Sequence, residues 1–223
     1  MPTAQSPPIR IAIIGAGAVS DYHHVPGIRI DPRAELVAIC DASEALLQQR
    51  RSDWNVERAT TDYSEICTDP DIDAVIIATV DHWHAPVAID SMNAGKHVLI
   101  EKPMTRYLDE GFDVYDTCKR TKRVMQIGAV FCIEKKWHQA AQLVRDGMIG
   151  PLVLGQSSYC RNSPKGEWNY TINPKLTDKS VDWTRWLGQT GMRPFNADHF
   201  FRWRKYNPYC CGILGDLLAH KIH

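Results

Sequence analysis

The sequence predicts an α/β protein: a doubly wound parallel sheet over residues 1–128, followed by a smaller α+β part over 129–223. Three observations carry this. Short apolar runs without a polar face recur along the first half, as strands buried on both sides require. Segments of helical composition, with recognisable caps and stops, separate them. Past Gly128 that alternation ends and the periodicity changes.

In chain order, "RIAIIG" and "AELVAICD" read as strands, the second ending at Asp41. "DASEALLQQRRSDWN" is helical, with Asp41 or Ser43 as its cap. "DIDAVIIATV" is a strand, and "HAPVAIDSMNAGK" a helix with Pro86 in its first turn and Gly95 at its end. "HVLIEKP" is a short strand, "DEGFDVYDTCKRTK" a helix and "RVMQIGAV" a strand. Beyond Gly128, "EKKWHQAAQLVRDGMIGP" is a helix stopped by Gly147, Gly150 and Pro151, and "LVLGQSSYCR" a candidate strand. Residues 162–208, rich in proline, glycine, tryptophan and tyrosine, read as a long ordered loop region, a kind of segment that often carries function. "CCGILGDLLAHKIH" reads as a final helix. No internal repeat or low-complexity segment stands out.

Composition narrows the function classes. Lysine plus arginine and aspartate plus glutamate number 26 each among 223 residues, so no basic excess points to nucleic acid. No apolar run approaches the ~20 residues that span a bilayer. "MPTAQSPPIR" lacks the charged and apolar regions of a signal peptide. The seven cysteines are odd in number and include no C-x-x-C, which argues against a disulfide scaffold or zinc knuckle. Reduced, packed cysteines and a cytoplasmic location are expected.

Gly15-Ala16-Gly17-Ala18-Val19-Ser20 follows a strand and opens a helix, fitting G-x-G-x-x-G with serine in the last place. The first glycine permits a tight turn, and the second lets the backbone approach a pyrophosphate at a helix N-terminus. Asp41 closes the next strand, where a carboxylate accepts from an adenosine ribose and repels a 2′-phosphate. A helix cap is its other reading. NAD is therefore expected, with NADP left open by Arg50 and Arg51, which lie late in the helix and are expected to face solvent. The sheet is of the Rossmann type on this reading.

Thr79 and His84 follow the strand ending near Ala78, and strand ends line the ligand crevice of such sheets. His82 and His84 have no third metal ligand nearby in sequence, so no metal is expected. Glu101-Lys102 sits where the next strand ends, and Pro103 keeps Lys102 extended. A lysine over an oxidised nicotinamide loses solvation and feels the ring's charge, which suits proton transfer; a surface ion pair is the alternative. Asp216 and His220, four apart, share a helix face and could hold a hydroxyl and shuttle its proton, or form a surface contact.

Gly15-x-Gly17, "TVDHWH", "AGKHVLIEKP" and the G-x-x-x-D-x-x-x-H run from Gly212 to His220 occur in that order. Together they resemble the Gfo/Idh/MocA oxidoreductases, and the likeness covers essentially the whole chain. The resemblance implies that Lys102 touches nicotinamide and substrate, and that Asp216 and His220 orient and deprotonate a sugar hydroxyl. It places Gly15, Gly17, Ala18, Val19, Asp41, Thr79, His84, Glu101 and Lys102 at the cofactor. Thr79, Asp81 and His84 match a T-P-N-x-x-H segment in which Val80 and Asp81 replace proline and asparagine. Arg161, Asn162, Trp183 and Arg185 are further pocket candidates. The family's second domain carries a large open sheet that binds substrate and builds the oligomer; here it is expected to be truncated, with a homo-oligomer for a full-length form. Cys210-Cys211 stand where the family commonly has glycine, and cysteine takes positive φ only at a cost.

The expected activity is hydride transfer between a sugar, polyol or cyclitol carbon and nicotinamide, with Lys102 and His220 as acid–base groups. Some relatives use transient oxidation to cleave a glycosidic bond. A dinucleotide-binding regulatory module without turnover, or an inactive fragment, is the rival.

Overall fold

The structure, a computed structural model, describes residues 6–158, 160 and 162–220. Six strands form one sheet: β1 (Ile9–Ile14), β2 (Ala34–Cys40), β3 (Arg58–Thr60), β4 (Ala74–Ile77), β5 (His97–Ile100) and β6 (Met125–Ile127). Their order is β3-β2-β1-β4-β5-β6, and every pairing is parallel. Strand order reverses direction between β1 and β4, which opens a crevice at the strands' carboxyl ends.

The sheet is buried on both faces because its central strands carry uninterrupted apolar runs, residues 11–14, 36–40 and 74–77. Ala12, Ile14, Ala38, Cys40, Val75 and Ile77 face one core. Ile13, Ile39 and Ile76, the intervening residues, face the other. This is the period-2 alternation of a pleated strand with nothing polar on either side. The first core is covered by α3 (Tyr63–Thr68), α4 (Asp81–Asn93) and α5 (Leu108–Thr121), through Ile66, Ala85, Val87, Met92 and Val114. The second is covered by α1 (Val25–Ile30) and α2 (Glu44–Trp54), through Val25, Ile28, Leu47 and Trp54. A π-type turn, Ser20–His24, leads into α1.

Ser43, rather than Asp41, caps α2: its hydroxyl accepts from the Leu46 N–H at 3.3 Å. Replacing Ser43 by alanine is expected to cost about 1 kcal/mol. A lowered urea midpoint at unchanged m-value checks this.

Several sequence expectations need correction. α4 starts at Asp81, so Pro86 is its sixth residue, not part of its first turn. The proline there forfeits one intrahelical bond, to the His82 carbonyl. β3 and α3 were not anticipated; three edge residues, Arg-Ala-Thr, give no apolar run to read. Residues 152–158 form no strand: among the described residues no segment pairs with them, and Leu152, Val153 and Leu154 are exposed.

The stretch 162–208 is not uniformly loop. It holds α7 (Trp183–Leu187) and α8 (Ala197–Phe201), with α6 (Lys135–Arg145) before it and α9 (Gly212–Leu217) after it. A third core binds it, formed by Val181, Trp183, Trp186, Leu187 and Tyr209 packed on Ala42 and Val80. Trp183 and Trp186 stack with centroids 4.7 Å apart. Cys211 takes an ordinary φ of −90°, and Gly212 beside it takes the positive φ of 73°. All seven cysteines are free. Among the described residues no helix is long and apolar enough to cross a membrane.

Candidate functional site

The glycine loop lies at the switch between β1 and β4. Gly15 has φ 103°, and a Cβ there would stand 2.4 Å from the Ala78 carbonyl oxygen, so only glycine fits beside the β4 turn. The Ser20 hydroxyl donates to the Gly15 carbonyl at 2.6 Å, which is what serine in the last place of the motif does. The Asp21 N–H reaches the Gly17 carbonyl at 3.2 Å; the N–H groups of Ala18 and Val19 precede it at the helix start. Ala18 is exposed and Val19 half-buried. A Cβ on Gly17 would meet nothing within 4 Å. That open position at Gly17, at the start of a helix, is compatible with a pyrophosphate.

Asp41 is tied into the same loop. One carboxylate oxygen accepts from Ala16 N and the other from Ser43 N, both at 2.9 Å. Each oxygen retains a lone pair for a ribose hydroxyl. Arg50 does not face solvent as expected: its Nε donates to the Ala16 carbonyl at 3.3 Å, it pairs with Asp21 at 3.0 Å, and it lies over Trp54. The aromatic face and the acidic partner of Arg50 drew it inward. Arg51 is exposed.

On the other side of the crevice, Thr79 follows β4 and is half-buried. His84 is buried, its Nδ1 on the Pro103 carbonyl at 2.6 Å and its Nε2 facing the Thr79 carbonyl at 3.2 Å. It ties the β4 turn to the loop after β5. Asp81 is buried and meets the Cys211 N–H at 3.4 Å, joining α4 to α9; burial pushes its carboxyl pKa up. The Glu101 carboxylate pairs with His24 Nε2 at 3.1 Å and accepts from Lys102 N at 3.2 Å. Burial alone would raise the Glu101 pKa, but His24 and Lys102 together outweigh it and hold the carboxyl low. A side chain at Gly128 would press on that carboxylate at 3.1 Å.

Lys102 and Asp216, 114 residues apart, meet. The ammonium donates to the Asp216 carboxylate at 2.8 Å and to its backbone carbonyl at 2.7 Å. Arg204 Nε reaches the same carboxylate oxygen at 3.1 Å. Burial opposes the Asp216 charge, but Arg204 and Lys102 together overcome this and hold its pKa below the ordinary value. A lowered folded-state pKa gives stability that is present above the unfolded-state value and is lost as pH falls through the folded one. Asp216→Asn is therefore expected to cost on the order of 2 kcal/mol at neutral pH, with the penalty shrinking below about pH 4. Denaturant midpoints of both proteins across pH check this.

His220 lies in the turn after α9, half-buried, with its ring edge-on to Phe131 at 6.1 Å between centroids. The structure thus gathers Lys102, Asp216 and Arg204, and sets His220 against the segment after β6. Among the other candidates, Trp183 is a core residue whose Nε1 donates to the Arg193 carbonyl at 2.8 Å. Arg185 bonds Thr61 and Asp62 beyond β3. Asn162 is exposed, and Arg161 lies outside the described residues. Sequence reasoning missed Arg204 and His24; the doubled histidine one turn after the glycine loop was the one available signal. No group of three or more His, Cys, Asp or Glu among the described residues could hold a metal ion.

Sheet order, glycine loop and crevice define a dinucleotide-binding α/β protein. Residues 9–129 match the model of the oxidoreductase family with an NAD-binding Rossmann fold, and the chain belongs to that Gfo/Idh/MocA family. The α-N-acetylgalactosaminidase of Shewanella oneidensis is 31% identical over 165 residues, 68% of this chain and 35% of that one. The apo scyllo-inositol dehydrogenase of Lactobacillus casei superposes with TM-score 0.60 at 27% identity, over 65% of this chain and 43% of that one. A 3-ketoreductase from Actinomadura kijaniata, solved with NADP and TDP-benzene, shares the fold at TM-score 0.58 and 22% identity, over 63% of this chain and 43% of that one. The matches span between 35% and 43% of the length of these relatives.

Proposed function

We propose that the chain carries the dinucleotide site and part of the substrate site of an NAD(P)-dependent oxidoreductase acting on a sugar, polyol or cyclitol hydroxyl carbon. Residues 1–128 bind the dinucleotide and residues 129–223 belong to the substrate and oligomer side. NAD is preferred over NADP because the Asp41 carboxylate stands where a 2′-phosphate would be repelled. Gly15, Gly17, Ala18 and Val19 form the phosphate seat, and Thr79, His84, Glu101 and Lys102 line or brace the nicotinamide end.

The observation that carries this reading is the Lys102–Asp216 contact at the carboxyl end of β5, beside the β1/β4 crevice. An ammonium has three N–H donors, and Asp216 takes two. The third is left for a substrate oxygen. Lys102 holds that oxygen, and Asp216 fixes the direction of the ammonium. His220 takes the proton that the hydroxyl loses. A nicotinamide held beside Lys102 would supply the hydride acceptor. The protein's share is placement and proton control.

The test is an NADH fluorescence titration followed by a sugar and polyol panel. Saturable binding with turnover of at least one polyhydroxylated substrate is expected. Binding without any turnover turns the reading to a regulatory module, and no binding turns it to an inactive fragment. The relationship to an α-N-acetylgalactosaminidase favours one variant, redox-assisted glycoside cleavage. Release of p-nitrophenol from a nitrophenyl α-N-acetylgalactosaminide, without net NADH formation, would select it.

A further inference from the structure

A second polar pocket lies between the starts of α4 and α5, beneath the segment after α7. Its volume is about 500 Å³, and its walls include His82, Arg106, Glu110, Gln189, Arg193 and Asn207. Neither the glycine loop nor Lys102, Asp216 or His220 contributes to it. This size suits a small ligand.

Its charges are unusual. Arg106 gives a donor to the Asn207 carbonyl, and Arg193 gives donors to the Thr190 and Gly191 carbonyls. Neither guanidinium is neutralised by a carboxylate among the described residues. Glu110 is the acidic group of the pocket. One of its oxygens accepts from the backbone N–H groups of Arg106 and Tyr107, both at 2.9 Å. Two positive charges and one negative leave a net charge of one positive. Two buried polar atoms in these walls, Arg106 Nε and His82 Nδ1, have no hydrogen-bond partner among the described residues.

His82 is 7% exposed, and its Nε2 meets the Trp186 carbonyl at 2.8 Å. A carbonyl only accepts, so the neutral ring carries its proton on Nε2, and Nδ1 is buried without a donor among the described residues. Burial pushes the imidazole pKa down to about 4, against the pull of the Trp186 and Tyr209 carbonyls, so the ring is neutral at pH 7.

A ligand for these walls brings one negative charge for the guanidiniums and hydroxyl donors for the second carboxylate oxygen of Glu110. We propose that the pocket is a second ligand site, for a polyhydroxylated monocarboxylate of the sugar-acid class. Its carboxylate meets Arg106 and Arg193, and its hydroxyls meet Glu110. A half-buried carboxylate that loses its hydroxyl partner on binding favours a ligand that supplies one.

Calorimetric titration of the full chain with sodium D-gluconate, sorbitol and sodium phosphate tests this. Gluconate is expected to bind with Kd below about 1 mM. Sorbitol lacks the charge and phosphate lacks the carbon-borne hydroxyls, so each should bind about tenfold or more weakly. Arg106→Gln and Arg193→Gln should each weaken gluconate about tenfold while keeping NADH binding. Lys102→Met should leave gluconate affinity within about twofold, because the two sites share no residue. The proposal is overturned if gluconate fails to bind, or if sorbitol or phosphate binds as tightly. It is also overturned if Lys102→Met abolishes gluconate binding, which would assign the sugar acid to the crevice. Should Arg106→Gln lose its fold, Arg193→Gln and the three-ligand comparison on the unaltered chain decide.

Discussion

Lys102→Met is expected to bind NADH nearly as the unaltered chain does, while turnover of any substrate found in the panel falls by about 10³-fold. Methionine matches the length of the lysine stem, so the half-buried shaft stays packed. The ammonium goes, and with it the donor that would hold the substrate oxygen. The fold should survive because Asp216 keeps Arg204, 3.1 Å from its carboxylate, and is not left as a bare buried charge. Most of the dinucleotide affinity should survive because the loop at Gly15–Val19 and the Asp41 carboxylate are held by bonds that do not involve Lys102. The measurement is kcat alongside an NADH fluorescence titration. Turnover close to that of the unaltered chain would remove Lys102 from the chemistry, and a joint loss of binding and turnover would make it a structural ion pair. Arg204→Met sharpens the comparison: it removes the other cation on Asp216 without touching the third donor of Lys102, so it should cost stability before rate.

The sheet was legible because its physics is local. β1, β2 and β4 are apolar at consecutive positions, and only burial on two faces accounts for that; the glycine loop then fixes the turn after β1. β3 and α3 were not legible, because a three-residue edge strand buries too little to leave a pattern. The third core was hidden for a different reason. Trp183, Trp186, Phe195 and Tyr209 come together through tertiary packing and not through one helical or strand period. Lys102 and Asp216 could be singled out by motif, but that Asp216 holds the lysine and Arg204 is a fact of three dimensions. Arg204 sits in "RWRKY", where three basic residues in five look like a solvated patch. Arg50 was misplaced because helix position alone cannot show that Trp54 and Asp21 offer its charge a semi-buried seat.

The two glycines of the phosphate loop separate folding from binding, and alanine at each should fail differently. Gly15→Ala places a Cβ 2.4 Å from the Ala78 carbonyl oxygen and 2.5 Å from its carbon, at a φ of 103° that L residues rarely adopt. Both groups are backbone at the junction of β1 and β4, so neither can yield without breaking the central pairing, in which Ala78 N donates to the Ile14 carbonyl. A cost of about 3 kcal/mol or more is expected, a large share of a domain's stability, with Tm lower by roughly 10 °C. Gly17→Ala meets nothing within 4 Å and sits outside the positive-φ region, so its melting temperature should match that of the unaltered chain. Its methyl group instead occupies the space through which a pyrophosphate must approach the backbone, and NADH affinity should fall about tenfold or more. Circular dichroism melts and NADH titrations of the two variants suffice. If Gly17→Ala kept full affinity, the pyrophosphate would have to sit elsewhere, and the assignment of Asp41 to the ribose would go with it, since that carboxylate is aimed by its bond to Ala16 in the same loop.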